Sequence, residues 1–220
     1  MPRLVPRHSI WIRITHWINV IVLSTMVYSG LLIYWANDVY KIELFGFELV
    51  KFFPDWFYKA LGLEFNLATG MAWHFSFAWL FVLNGLVYVS YLLWSGEWKD
   101  ILPNRSSPYH ALLTVLHDLK IRKEPPPPAK LNGAQRFAYT GVIGLAALSV
   151  ITGFAILKPE QFGWLTTLLG GYQTARLIHF AVTILFVLFV LMHVSQVVKA
   201  GWGVFRAMIT GYEVHNDQPK

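Results

Sequence analysis

The stretch RLIHFAVTILFVLFVLMH, residues 176–193, is an apolar run with a histidine near each end, His179 and His193, 14 residues apart. Fourteen helical steps of about 100° fall roughly 40° short of four full turns, so both rings face the same way on a helix. At 1.5 Å per residue they stand roughly 21 Å apart along the axis, a large part of a bilayer's hydrocarbon thickness. The run therefore offers an imidazole at two depths on one face.

The rest of the chain says what that face looks into. With 55% hydrophobic and 14% charged residues among 220, the composition is too apolar for an ordinary soluble domain. Residues 14–37, 65–96, 137–157 and 177–198 contain no Asp, Glu, Lys or Arg, and each window is long enough to span a membrane as a helix. This predicts an all-α membrane protein, a bundle of four transmembrane helices over about 13–37, 67–96, 136–158 and 175–199, forming a single membrane domain. Nine of the ten Trp lie near expected helix ends or in connections, an interfacial belt that requires no ligand. The Arg-flanked apolar start is too long for a signal-peptide core and lacks a small-x-small cleavage site, so it is expected to remain as the first span.

Charge gives the orientation. Of 18 Lys and Arg, only Lys41, Lys51, Lys59, Lys158 and Arg176 fall outside if the N-terminus is cytoplasmic, while the acidic residues divide evenly. The positive-inside rule then places both termini in the cytoplasm, and the net charge of +6 becomes a topology signal and a contact with anionic lipid, with no nucleic-acid partner. The outer loop, 38–66, mixes aromatic and Leu residues with charges in FELVKFFPDWFYKALGLEF, which suits a segment lying in the interface plane. The inner loop, 97–135, holds a short helical pattern in YHALLTVLHDLKIRK and then the stiff spacer EPPPPAK. No solenoid-type repeat is visible.

Four of the eight histidines fall within the spans. His16 starts the first span on the inner side and His193 ends the fourth there; His74 and His179 lie toward the outer side. They sort into an inner and an outer pair, each drawn from two helices. A single membrane histidine is commonly an interhelical hydrogen bond or part of a proton path. Two imidazoles per level without Cys, Asp or Glu make an incomplete shell for zinc or copper. A b-type haem needs only two axial nitrogens, and bis-imidazole ligation leaves no open iron position, which points to electron transfer. The absence of Cys excludes thiolate-held clusters and covalent c-type haem.

Two spacings extend this reading. Arg-x-x-His occurs as Arg13 to His16 and as Arg176 to His179, setting a guanidinium one turn nearer water, where haem propionates would emerge; a snorkelling interfacial Arg is the alternative. Gly30 follows His16 by 14 residues and Gly85 follows His74 by 11, so each lies on its histidine's face at the other depth and leaves a gap there, although close helix packing uses glycine too.

The segments RITHWINV with YSGLL after it, MAWHF, LNGAQR, RLIHFAVTILFVLFVLMHV and FRAMITG together resemble the bacterial cytochrome b561 and nickel–iron hydrogenase b-type cytochrome family, with the related formate dehydrogenase gamma subunits. The resemblance implies a bacterial inner-membrane, multi-pass protein with two haem b groups, the inner ligated by His16 and His193 and the outer by His74 and His179. It also implies quinone as substrate near the inner haem, with Asn132 of the Asn-Gly-x-Gln-Arg segment approaching it. The implied partner is a periplasmic oxidoreductase of hydrogenase or molybdenum-enzyme type, although the proline-rich inner loop and wide outer loop depart from hydrogenase cytochromes. The alternative is a free-standing b561 acting as a superoxide:quinone oxidoreductase. The sequence leaves room for a homo-oligomer.

Overall fold

The computed structural model describes residues 3–37, 40–44, 47–124 and 129–215. The order is β1 (Arg3–Pro6), α1 (Ile10–Trp35), β2 (Lys41–Leu44), β3 (Phe47–Lys51), α2 (Asp55–Ala60), α3 (Leu67–Ser95), α4 (Trp98–Ile101), α5 (Ser107–Asp118), α6 (Gly133–Leu157), α7 (Gly163–Leu168), α8 (Tyr172–Ala200), α9 (Trp202–Thr210) and β4 (Tyr212–His215). Four helices, α1, α3, α6 and α8, are long and apolar enough to cross a membrane, as expected. Three of them, α1, α6 and α8, start three residues earlier than the expected spans. The cause is at the caps: α1 begins after Ser9, whose Oγ accepts from Ile12 N at 3.3 Å, and α6 after Asn132, whose side chain accepts from Gln135 N. The helices thus run through Arg13, Arg136 and Arg176, because a long cationic side chain reaches water from within the first turns.

The chain divides into two compact units, Ile14–Leu86 and Met1–Arg13 with Val87–Lys220. In the first, α1 and α3 pack directly on each other. Gly70 makes this possible, since a Cβ there would stand 2.6 Å from Leu32 Cβ and 3.2 Å from the Ser29 carbonyl. Further along, the buried Asn84 donates from Nδ2 to the Thr15 carbonyl at 2.9 Å and to Asn19 Oδ1 at 2.8 Å, using both amide protons to bind α3 to α1. The connection after α1 carries secondary structure of its own. β2 and β3 form an antiparallel hairpin, and α2 carries Tyr58 inward, where with Leu63 it packs against Leu32 and is flanked by Tyr34, Trp35, Phe53 and Phe57. Burying those aromatics together removes their apolar area from water.

In the second unit α6 lies against α8 and α5 against α6. α5 falls where the inner helical pattern predicts; of the proline run, residues 125–128 lie outside the described residues. Gly133 is flush with α5, since a Cβ would meet Ser107 O at 2.3 Å and Ala111 N at 2.5 Å. Arg136 Nη1 donates to the Leu102 carbonyl at 2.8 Å, satisfying the C-terminus of α4 with a cation. Thr166 of α7 donates to the Ala155 carbonyl at 3.2 Å and covers the end of α6. β1 pairs antiparallel with β4, Arg3 opposite His215, and Arg7 makes an ion pair with Glu213. The first and last described strands of the chain are therefore joined.

The two helix pairs repeat one plan. α3 and α8 are each 29 residues long and end before a glycine at positive φ, Gly96 and Gly201. Both carry Thr-small-x-x-x-His-Phe in the same position, as Thr69, Gly70, His74 and Phe75 and as Thr174, Ala175, His179 and Phe180. α1 and α6 match from the cap onward: Arg13 with Arg136, then Ser29-Gly30 with Thr152-Gly153. At the other depth the match ends. Tyr139 stands on α6 where α1 has His16, and Tyr88 stands on α3 where α8 has His193.

Candidate functional site

The close approach at Gly70 carries the side chain one turn further along α3, His74, onto the backbone of α1. Its Nδ1 lies 3.0 Å from Ser29 Oγ, and its Cε1 is 3.6 Å from where a Cβ on Gly30 would be. In the other unit the small residue one turn before the histidine is Ala175, fully buried, and the outcome is the same. His179 Nδ1 lies 2.8 Å from Thr152 Oγ1, with Cε1 again 3.6 Å from a Cβ on Gly153.

These contacts are compatible with an Nδ1–H ring at both positions. A hydroxyl has one proton to give and lone pairs to accept with. Ser29 Oγ donates to the Met26 carbonyl at 3.2 Å, and Thr152 Oγ1 to the Leu148 carbonyl at 2.7 Å. When the hydroxyl proton goes to the carbonyl, the hydroxyl oxygen accepts from the ring. Both imidazoles are then Nδ1–H tautomers with the lone pair on Nε2, the nitrogen that can take a metal. This donor set suits a haem iron.

The inner-level histidines have aromatic neighbours. His16 meets Trp17 edge to face, with centroids 5.4 Å apart, and the adjacent Thr15 carbonyl is held by Asn84. His193 lies parallel to Phe189, one turn away, at 6.0 Å. A Cβ on Gly85 would meet nothing within 4 Å.

The two arginines expected to behave alike differ. Arg13 donates from Nη2 to the Ile209 carbonyl beside Gly211 and so ties α1 to the end of α9, while its Nε is buried without a protein partner. Arg176 donates to Gln173 on its own helix at 3.3 Å. Asn132 also has a role beyond the one expected of it: its Oδ1 accepts from Gln135 N at 2.9 Å while Gln135 Oε1 accepts from Asn132 N at 3.0 Å, a complete capping box that leaves only the amide NH2 for a ligand. Nearby, burial and the Arg7 guanidinium hold His8 below the usual histidine range.

Sequence reasoning missed Ser29, Thr152, Gly70 and Asn84. Their signals were present as a hydroxyl–glycine dipeptide on two spans, a small residue one turn before each outer histidine, and an amide inside an apolar run.

The prokaryotic cytochrome b561 profile matches residues 7–211. This chain belongs to the prokaryotic cytochrome b561 family. It is also 33% identical over 191 residues, 86% of this chain and 89% of the other, to a protein of Azospira oryzae named "Putative protein-methionine-sulfoxide reductase subunit YedZ1". As a cytochrome b561 with four apolar helices it is a multi-pass protein of the bacterial inner membrane, carries b-type haem and acts in electron transfer.

Proposed function

We propose that this cytochrome b561 is one membrane domain holding two b haems, which passes electrons between the quinone pool and an oxidoreductase partner on the outer side. His16 and His193 hold the inner haem, His74 and His179 the outer. The observation that carries this reading is the matched setting of His74 and His179, each with Nδ1 within hydrogen-bond reach of a hydroxyl from the neighbouring helix, an arrangement that suits an Nδ1–H ring. A proton path needs rings that change tautomer, and an interhelical strut needs no defined one; an axial ligand needs the lone pair kept on Nε2.

A b haem held by two imidazoles takes up and returns single electrons at an iron with no open position. The chain's own residues do the rest: the helices set the two levels, Arg13 and Arg176 face the propionates, and Gly30 and Gly85 leave room beside the macrocycles. Quinone reacts on the inner side, with the Asn132 amide as a donor to it. The basic inner segments hold both termini in the cytoplasm against anionic lipid, and the β1–β4 pairing is in keeping with termini on one side. The name of YedZ1, a subunit of a reductase, supports an oxidoreductase partner.

The test is the reduced-minus-oxidised spectrum of the purified protein with haem counted by pyridine haemochrome. Two haems per chain are expected; His16→Ala and His193→Ala should each remove one and the same signal, and His74→Ala and His179→Ala the other. A colourless preparation from haem-replete cells, or losses that pair differently, would overturn the assignment.

A further inference from the structure

The hydroxyl–imidazole contact occurs twice, in separate units, from different residues, and with the same four parts: a small residue one turn before the histidine, the hydroxyl, the glycine after it, and the helix carbonyl that takes the hydroxyl's proton. Interhelical packing alone asks for none of these to coincide. A serine or threonine that bonds back to its own helix satisfies itself without any partner, and does so elsewhere in this chain, as at Ser24, Ser76 and Thr183. At Ser29 and Thr152 the same back-bond leaves the oxygen turned to a neighbouring ring.

We infer that Ser29 and Thr152 are paired positioning residues for the outer haem, together setting the donor strength of its two axial imidazoles and hence its midpoint potential. The inference rests on the ligand assignment proposed above. Accepting Nδ1–H draws charge toward Nε2, strengthens the imidazole as a donor and favours ferric over ferrous iron. With the hydroxyl held by its own helix carbonyl, the acceptor is a neutral oxygen, so the bias is moderate and of the same sign on the two ligands. A Cβ on Gly30 or Gly153 would stand 3.6 Å from the ring's Cε1, so each glycine leaves its ring room beside the hydroxyl. The effect is confined to the outer haem, because both hydroxyls act on outer-level histidines.

The experiment uses the full-length protein with its haem, as Ser29→Ala, Thr152→Val, the double variant, and the hydroxyl-keeping Ser29→Thr and Thr152→Ser, each followed by optical redox titration and by the low-spin ferric electron paramagnetic resonance spectrum. Removing either hydroxyl should raise the potential of one haem, by about a tenfold change in its ferrous-to-ferric ratio at fixed ambient potential, equivalent to 59 mV for a one-electron couple. The double variant should move the same haem further, the other haem should stay in place, and the hydroxyl-keeping variants should behave as the parent. If Ser29→Ala loses a haem, retention of that haem at parental potential in Ser29→Thr supports the inference, and its loss there as well overturns it. His74→Ala separates the two levels of argument: with one haem lost in that variant, unchanged potentials in Ser29→Ala and Thr152→Val refute the role of the hydroxyls alone, whereas two haems retained in His74→Ala refute the ligand assignment and this inference with it.

Discussion

Gly70→Ala is the substitution through which packing, geometry and redox chemistry meet. A Cβ at residue 70 would lie 2.6 Å from Leu32 Cβ, with the Ser29 carbonyl at 3.2 Å and Ile33 Cγ1 at 3.3 Å. Carbon atoms rest at about 3.5–4.0 Å, so α3 must withdraw from α1 by about 1 Å at this level. Neither Leu32 nor Ser29 can give way instead, since Leu32 is 3% exposed within the Tyr58–Leu63 cluster and the Ser29 carbonyl is backbone. His74 sits one turn away on the retreating helix. Its 3.0 Å contact with Ser29 Oγ would open to about 4 Å, beyond hydrogen-bond range. Overpacking costs about 1–3 kcal/mol, and the lost hydrogen bond about 1 kcal/mol more. The assay is haem stoichiometry by pyridine haemochrome, redox titration and thermal melting, against Gly144→Ala, where a Cβ meets nothing within 4 Å. The expected result is loss of the outer haem or a raised outer potential, with lower stability and an unchanged inner haem. Two haems at parental potentials and an unshifted melt would refute the reasoning from Gly70 to His74.

Other outcomes follow from the same geometry. Gly85→Leu should remove or shift the inner haem while Gly144→Leu does not; because a Cβ at Gly85 meets no protein atom within 4 Å, a selective loss reads out the porphyrin itself, and parental haem content would remove Gly85 from the site. Asn132→Ala should cost about 1 kcal/mol by opening the capping box, whereas Asn132→Ser keeps the cap and lacks the amide; quinone reduction that falls in the serine variant without loss of stability marks the amide as a quinone donor, and parental turnover removes it from that role. The joined termini should loosen in mild acid: burial and then Arg7 depress His8 in the folded chain, so the unfolded segment binds the proton first, and the stabilisation present above the usual 6.5 declines as pH falls through it. Limited proteolysis at the β1–β4 ribbon should therefore rise below about pH 6.5 relative to a His8→Asn variant, and identical pH profiles for the two would refute the linkage.

The exposed pair of Asp100 and Lys130 has a different character. Their 2.6 Å hydrogen bond lowers the Asp100 carboxyl and raises the Lys130 amine, yet both side chains are open to water, so the pair orients the loop before α6 more than it stabilises it.

What the sequence by itself determined is whatever depends on one segment at a time. Apolar length fixes four membrane-spanning helices, and the 3.6-residue period puts His179 and His193 on one face, because both follow from backbone geometry that no neighbour has to supply. Charge bias gives the orientation for the same reason. Even the helix starts were written locally, in Ser9 and in the Asn132–Gln135 cap, though a charge-free window ends too early to see them. What only the tertiary structure decided is what lies between segments. The contacts Ser29–His74 and Thr152–His179 join residues 45 and 27 positions apart, and the hydroxyl–glycine dipeptide they share also occurs at Thr140–Gly141, whose hydroxyl bonds the Ile101 carbonyl, so the dipeptide does not say which hydroxyl meets a ring. They exist because Gly70 lets α3 approach α1 more closely than a Cβ would allow and the buried Ala175 keeps the matching position small, and such a fit is set by shape complementarity across the interface, which no single helix contains.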